Sequence, residues 1–379
     1  MSQAKVKMGL YIHIPFCQKK CHYCNFLTFT DQANEVDPYI DYLIREMAFY
    51  QEQNYLIDTI YFGGGTPSYL SADQMVRVME GVYRYFEVSQ RAEISIEMNP
   101  ESVTSRRLDS YLECGFNRFS MGVQSFNDEV LKMMGRLHDR ATVFEKIELM
   151  KNKGIDRLGI DLMFANPKQT LEILEDDLNQ ALTLPLTHLS IYSLMIKDDT
   201  PLKRWVLTGQ VKLPSEELER TMYHYIQERL KAAGFEQYEI SNFARPGYES
   251  RHNKKYWRLD NYLGLGLGAS SNVDLIRYDN ERSFSAYYQK IDRGLPPVMS
   301  QEVMTLEDRE KEYIMLNMRL LKGFSIPEIN QRFGIDFLTK YQKAIEKHLN
   351  TGIIQLSEDR IAFTELGLDI GNQFYLDIL

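Results

Sequence analysis

An α/β fold built on a parallel, barrel-like sheet is what this 379-residue sequence predicts. Three observations carry that expectation. Six short apolar runs alternate with helical stretches, and strand-helix-strand order over such lengths calls for right-handed crossovers between parallel strands. A glycine or polar residue interrupts the pattern at one place in each unit, the C-terminal end of the strand, where barrel folds collect their chemistry. From about Pro297 the order changes to helices followed by two short strand candidates.

The predicted strands cover 10–14, 59–62, 94–98, 118–123, 158–163 and 188–194, each a short apolar run of the kind that is buried in a parallel sheet. Asp37-Pro38 opens the first helix, which runs through Tyr42, Leu43, Met47 and Tyr50. Ser71-Ala72-Asp73 caps the second, toward Phe86. Later helices fit 104–114, 141–153 ended by Gly154, 170–184, and 214–233 ended by Gly234. Beyond 297, helices are predicted at 308–321, 326–333 and 338–349, then strands at 353–356 and 360–363, an order similar to a winged helix. Such a domain on an acidic chain reads as a lid or partner surface rather than a DNA reader. The expected division is a core over 1–235, a linker segment over 236–296 and a C-terminal domain over 297–379.

With 44% hydrophobic residues, the chain can bury one large core and a smaller one. A net charge of -9 speaks against non-specific nucleic-acid binding, which needs a basic face. No stretch reaches ~18 uninterrupted apolar residues, and the N-terminal start has no sustained apolar region, so neither a membrane span nor a signal peptide is expected. A cytoplasmic location follows from the cysteine usage, since four cysteines with three clustered suit a reducing compartment.

Those three, Cys17, Cys21 and Cys24, are spaced C-x3-C-x2-C. An iron-sulfur cubane has four irons, so three thiolates leave one iron open to another molecule. The alternative is a Cys3His zinc site with His13 or His22 as the fourth ligand. Zinc sites usually draw ligand pairs from two separated halves, and no second half exists here. Cys114, alone before Gly115, reads as a free buried cysteine.

The run Tyr11-Ile-His-Ile-Pro-Phe-Cys17, the cysteine spacing and Gly63-Gly64-Gly65-Thr66-Pro67 downstream resemble the radical S-adenosylmethionine (SAM) enzymes, in particular their oxygen-independent coproporphyrinogen oxidase branch. The resemblance implies an open (β/α)6 three-quarter barrel and a [4Fe-4S] cluster on the three cysteines, with SAM on the open iron. It also implies reductive cleavage of SAM to methionine and a 5'-deoxyadenosyl radical. By order and spacing it assigns the SAM cradle: Gly64, Gly65 and Thr66 after the second strand, Glu97 after the third, Gln124 and Arg136 after the fourth, and Asp161 after the fifth. Tyr11 and Tyr23 resemble the aromatics beside the cofactor. Taken singly, each of these could be a buried polar or aromatic residue satisfied by its neighbours. Tyr192 stands at the corresponding place on the sixth strand.

The sequence departs from the oxidases in two ways. Phe26 occupies the position of their further cysteine, and only sixteen residues precede Cys17 where they carry a longer arm. A third feature points elsewhere. His252-Asn253-Lys254-Lys255-Tyr256-Trp257 resembles the H-N-x-x-Y-W string of HemW-type haem chaperones. That resemblance implies haem as a further ligand, held by His252, Tyr256 and Trp257. It also implies haem-accepting proteins as partners, membrane respiratory enzymes among them, together with an electron donor, in a monomer or homodimer. Without it, the string reads as a structural loop with His252 satisfied by a hydrogen bond. Coproporphyrinogen III dehydrogenation and a radical SAM reaction on another substrate are the competing functions. The glycine string from Gly264 to Gly268 lacks the strand-turn-helix context of a dinucleotide loop and reads as close backbone packing on the cluster side.

Overall fold

Six strands pair in parallel and in chain order: β1 (Val6–Ile14), β2 (Tyr55–Gly64), β3 (Glu87–Met98), β4 (Arg118–Gln124), β5 (Leu158–Phe164) and β6 (His188–Ser193). This is the predicted open three-quarter barrel, seen in a computed structural model that describes residues 5–378. The first four residues of the N-terminal start lie outside the described residues. Alternation along β1 sets its two faces: Met8, Leu10, Ile12 and Ile14 are fully buried in the main core, while Tyr11 and His13 line an inner cavity.

Helices α1 (Val36–Met47), α2 (Ala72–Tyr85) and α3 (Ser105–Glu113) follow the first three strands, and α4 (Asp128–Met134) and α5 (Arg140–Asn152) the fourth. Then come α6 (Leu171–Leu182), α7 (Pro201–Leu207) and α8 (Glu216–Ala232). Ser71 and Gln74 close a reciprocal capping box on α2, satisfying two backbone donors that the helix start leaves unpaired. The strands run longer than the apolar signal because their entry residues, such as Glu87 and Arg91, are exposed and polar.

The segment 236–296 is not a linker. It carries β7 (Glu236–Glu239) and β8 (Asn242–Ala244), which extend the β6 edge, and β9 (Tyr262–Leu265), β10 (Ser270–Val273) and β11 (Ile276–Asn280), which extend the β1 edge. With β12 (Val298–Val303) the result is one twelve-stranded sheet. An open parallel barrel leaves both edge strands with unpaired backbone groups, and these short strands pair them. The same segment contains α9 (Arg251–Trp257) and α10 (Phe284–Asp292).

The C-terminal domain has its own core around Tyr313, Phe324, Phe337, Ile361 and Phe374. It comprises α11 (Leu306–Asn317), α12 (Ile326–Phe333), α13 (Phe337–Lys340), α14 (Gln342–Asn350), α15 (Glu365–Ile370) and α16 (Asn372–Ile378). The strands β13 (Phe324–Ser325), β14 (Ile354–Ser357) and β15 (Arg360–Phe363) form a three-stranded sheet beside them. The helix predicted over 338–349 is broken at Tyr341, whose backbone leaves the helical region. Among the described residues no helix is long and apolar enough to cross a membrane.

Candidate functional site

The cluster loop leaves β1 at Pro15 and returns at Phe29, closed by hydrogen bonds from Cys17 N to Phe29 O (3.0 Å) and from Phe29 N to Pro15 O (2.7 Å). Two contacts from outside pin its middle: His22 N donates to Met134 O at the end of α4, and Leu202 N of α7 donates to His22 O. Cys17, Cys21 and Cys24 then face one cavity of about 650 Å³ at the C-terminal ends of the strands. All three thiols are free, and burial pushes Cys17 up to about 11.

Neither histidine of the zinc alternative lines the cavity that the three thiols face. Both His13 ring nitrogens are engaged, Nδ1 with the Tyr11 hydroxyl and Nε2 with Leu27 O, each at 3.0 Å. His22 turns Nδ1 to Met133 O and packs edge-on against Trp205.

The loop after β2 locks onto the cluster loop, with Gly65 N donating to Ile14 O and Thr66 N to Phe16 O, both at 2.9 Å. Gly64 has φ +111, and a Cβ there would stand 2.5 Å from the His13 ring. The glycine is therefore required by the chain's own close approach, a reason the sequence reading did not include. Thr66 Oγ1 accepts from Asn99 Nδ2 at 3.0 Å and lies 3.4 Å from Cys17 Sγ.

Five further predicted residues line the same cavity: Tyr23, Glu97, Gln124, Arg136 and Asp161. Tyr192, at the end of β6, joins them. Tyr61 donates to Glu97 Oε1 at 2.6 Å, and Ser120 donates to Asp161 Oδ1 at 3.0 Å. Burial raises both carboxyls, Glu97 to about 7, with the Asp161 charge adding to the rise at Glu97. Two strained acids on one wall favour a ligand that brings positive charge, as a sulfonium does. Gln124 adopts φ +70, uncommon for a side-chain-bearing residue, at a register shift between β4 and β5. Arg136 Nη2 donates to Asn99 Oδ1 (2.7 Å) and Gly122 O (2.5 Å), and Nη1 lies 3.5 Å from Cys21 Sγ. Its Nε is buried without a partner, a donor left available to an acceptor that the protein itself does not supply. The residues present thus fit both a cluster and SAM.

Asn99 and Tyr61 are site residues that the sequence reading misses. Asn99 joins Thr66 to Arg136, and Tyr61 holds Glu97. Each had a signal: Asn99 follows Glu97 by two positions at the strand end, and Tyr61 precedes Gly63 by two on the same face of β2.

Two expectations are not met at this cavity. Tyr11 does not line it; the ring stacks on Tyr61 with centroids 6.4 Å apart and faces a second cavity. His252 is not presented to any ligand. It is 0% exposed, with Nδ1 2.8 Å from Thr59 Oγ1 and Nε2 2.9 Å from the Tyr256 hydroxyl, and its ring stacks on Tyr61 at 5.2 Å. Burial, with Lys255 nearby, lowers its pKa to about 3. The reason is that α9 packs against the inner side of β1 and β2, where Lys255 pairs with Asp58 (2.9 Å) and a Cβ on Gly9 would touch both Lys255 and His252. Trp257 faces the C-terminal domain instead, under Arg319 at 5.6 Å. The glycine string lies on and just after β9 in a turn to antiparallel β10, which excludes a dinucleotide loop. Cys114 is free and half-buried at the end of α3.

The radical SAM superfamily model matches residues 11–181, and the HemN C-terminal domain model matches residues 304–370. The heme chaperone HemW of Lactococcus lactis subsp. lactis (strain IL1403) is 33% identical over 365 residues, covering 96% of this chain and 95% of the relative. That of Bacillus subtilis (strain 168) is 35% identical over 369 residues, covering 96% and 97%. That of Escherichia coli (strain K12) is 35% identical over 326 residues, covering 83% of each. Among solved structures, coproporphyrinogen III oxidase (HemN) from Escherichia coli superposes with a TM-score of 0.86 at 24% identity, covering 99% of this chain and 90% of that one, which establishes the shared fold.

Proposed function

Since the chain belongs to the HemW-type haem-chaperone family of the radical SAM superfamily, we propose that it binds haem, a [4Fe-4S] cluster and SAM, and passes haem to acceptor proteins. The observation that carries this reading is the similarity to haem chaperones along nearly the whole length of both chains.

The site supports the cofactor assignments. Cys17, Cys21 and Cys24 would hold the cluster. Arg136 would take the methionine carboxylate through its unpartnered Nε, and Glu97 and Asp161 would face the ribose and sulfonium. Gln124 and Tyr23 close the pocket around the remainder. When bound, the cluster and SAM supply one-electron chemistry. The protein's own part is to hold Arg136 and Glu97 in place through Asn99 and Tyr61, and to bury the acids so that a cationic ligand is favoured. The reading includes a cytoplasmic location, an electron donor, and acceptors that include membrane respiratory enzymes.

Coproporphyrinogen III dehydrogenation is the competing reading, and Phe26 speaks against it. At the position of the oxidases' further cysteine, this side chain is 63% exposed at the cavity wall and offers no thiol. The deciding experiment adds haem to the purified, cluster-loaded protein and follows its absorption spectrum, beside a coproporphyrinogen turnover assay with SAM and a reductant. Stoichiometric haem uptake without turnover is expected. Efficient decarboxylation with no haem uptake would restore the dehydrogenase.

A further inference from the structure

The two ends of the twelve-stranded sheet differ. At one end the backbone of β7 is covered, since Leu321 N donates to Tyr238 O at 3.2 Å and Glu239 forms a bridge with Leu320. At the other end β12 is bare. Its residues 299–303 are all exposed, Met299 by 47% and Val303 by 69%. Edge strands are usually blunted by lysine, proline or a covering element. Within β12 there is neither lysine nor proline, and its one charged residue, Glu302, makes no ion pair among the described residues.

The pairing with β11 decides which backbone groups face outward. Met304 N donates to Leu275 O at 2.8 Å, and the register sets Ile276 opposite Val303, Arg277 opposite Glu302, Tyr278 opposite Gln301 and Asp279 opposite Ser300. Hydrogen-bonded and non-hydrogen-bonded pairs alternate along an antiparallel ladder. Ser300 and Glu302 therefore spend their backbone groups on β11, while Gln301 and Val303 turn theirs outward. The bulge between Asp279 and Asn280 falls at the start of β12 and leaves residues 300–303 regular.

We propose that β12 is an interface between two copies of this chain, pairing antiparallel with itself about a twofold axis through Gln301. The strand's own sequence selects the occupant and the register. Centred on Gln301, the two copies exchange both N–H···O bonds of that residue, Met299 of each meets Val303 of the other, and Glu302 faces the uncharged Ser300. Moving the axis to Glu302 would set two unpaired carboxylates against each other. Moving it to Ser300 would leave Val303 without a partner and put Glu302 against Val298. Leu275 and Leu306, both exposed and lining one cavity near the Val303 end, widen the apolar margin. A single six-residue strand pairing is smaller than the ~1,200 Å² of a standard interface, so the dimer forms in the micromolar range. The inference goes beyond the haem-chaperone reading and does not depend on it.

The test measures the mass of the full-length, cluster-loaded protein by sedimentation equilibrium over about 1–300 μM. Wild type is expected to pass from monomer to dimer within that range. Gln301→Pro removes an outward N–H that β11 does not use, so it should keep the circular dichroism of the fold and weaken the dimer about tenfold or more. Val303→Glu, which alters only an exposed side chain, is the second variant and should weaken it likewise. Anaerobic thiol oxidation reads the register. Gln301→Cys should give a disulfide-linked dimer, since the Cα atoms of a hydrogen-bonded pair lie about 5.5 Å apart, and Glu302→Cys should not. Wild type that stays monomeric throughout leaves the edge to an extended segment of another protein and overturns the inference. Dimers that persist in Gln301→Pro and Val303→Glu, or cross-linking of Glu302→Cys in place of Gln301→Cys, overturn it as well.

Discussion

Replacing Glu97 by glutamine should flatten part of the protein's pH-stability profile. The carboxyl is buried beside Asp161 and binds its proton near pH 7 in the fold, against a usual value of 4.5. Because the folded state holds the proton more tightly, the contribution of this carboxyl to stability is greatest at low pH. It falls as the unfolded chain ionises above pH 4.5 and levels off once the folded carboxyl ionises near pH 7. At about 1.4 kcal/mol per tenfold change in proton affinity, the fall is roughly 3 kcal/mol. Glutamine keeps a carbonyl to accept from Tyr61 and carries no charge, so the variant lacks this fall. The assay is urea unfolding of wild type and Glu97→Gln at several pH values from 4.5 to 8. Using the difference cancels the titrating groups that do not interact with Glu97, leaving Glu97 and its coupling to Asp161. Parallel profiles across that range would refute the assignment of a strained acid at this position. A cationic ligand at this wall reverses the strain, so SAM binding near pH 7 should release protons from wild type and fewer from the variant.

Other outcomes follow from the same contacts. Gly64→Ala should cost about 2 kcal/mol or more, since it forces a side chain into a left-handed backbone against the His13 ring; an unchanged denaturation midpoint would contradict the packing. Asn99→Ala strands Arg136 and Thr66 together and should cost about 1–3 kcal/mol while weakening SAM binding, read by denaturation and by equilibrium titration. Arg136→Ala should lower SAM affinity roughly ten- to a hundred-fold with iron content retained; full affinity would place the methionine carboxylate elsewhere. Cys24→Ala should abolish cluster loading yet keep the helical circular dichroism, because only one surface loop loses its anchor; global loss of helix signal would contradict that.

The six-strand frame and its strand-end residues are legible in the sequence because they are local. Apolar runs, caps such as Ser71, and helix-ending glycines each act over a few residues, and the polar residue closing each strand is visible where the apolar run breaks. The extensions β7 to β10 are not legible. They are three to four residues long with mixed polarity, and their reason for existing is the unpaired edges of β1 and β6. His252 is the instructive case. Its chemistry is visible beside Tyr256 and Trp257, but its burial depends on Thr59, 193 residues earlier, and on α9 folding against the barrel's inner side. Asn99 and Tyr61 escape notice for a related reason: each acts through another residue, and only the assembled cavity reveals the pairing.

The wall that carries the three thiols is finished by a segment made much later. Leu267 N donates to the Tyr39 hydroxyl, which itself donates to His13 O just ahead of the cysteines, and a Cβ on Gly268 would stand 2.4 Å from the Leu27 side chain just behind them. At a synthesis rate of about 5–20 residues per second, some 10–50 s separate the emergence of Cys24 from that of Gly268. During that interval on the ribosome, the thiols sit on a loop whose final supports do not yet exist. If the thiols hold a cluster as proposed, any iron bound before β9 emerges should be held loosely, and nascent protein stalled there should release it readily to a chelator that the finished molecule resists.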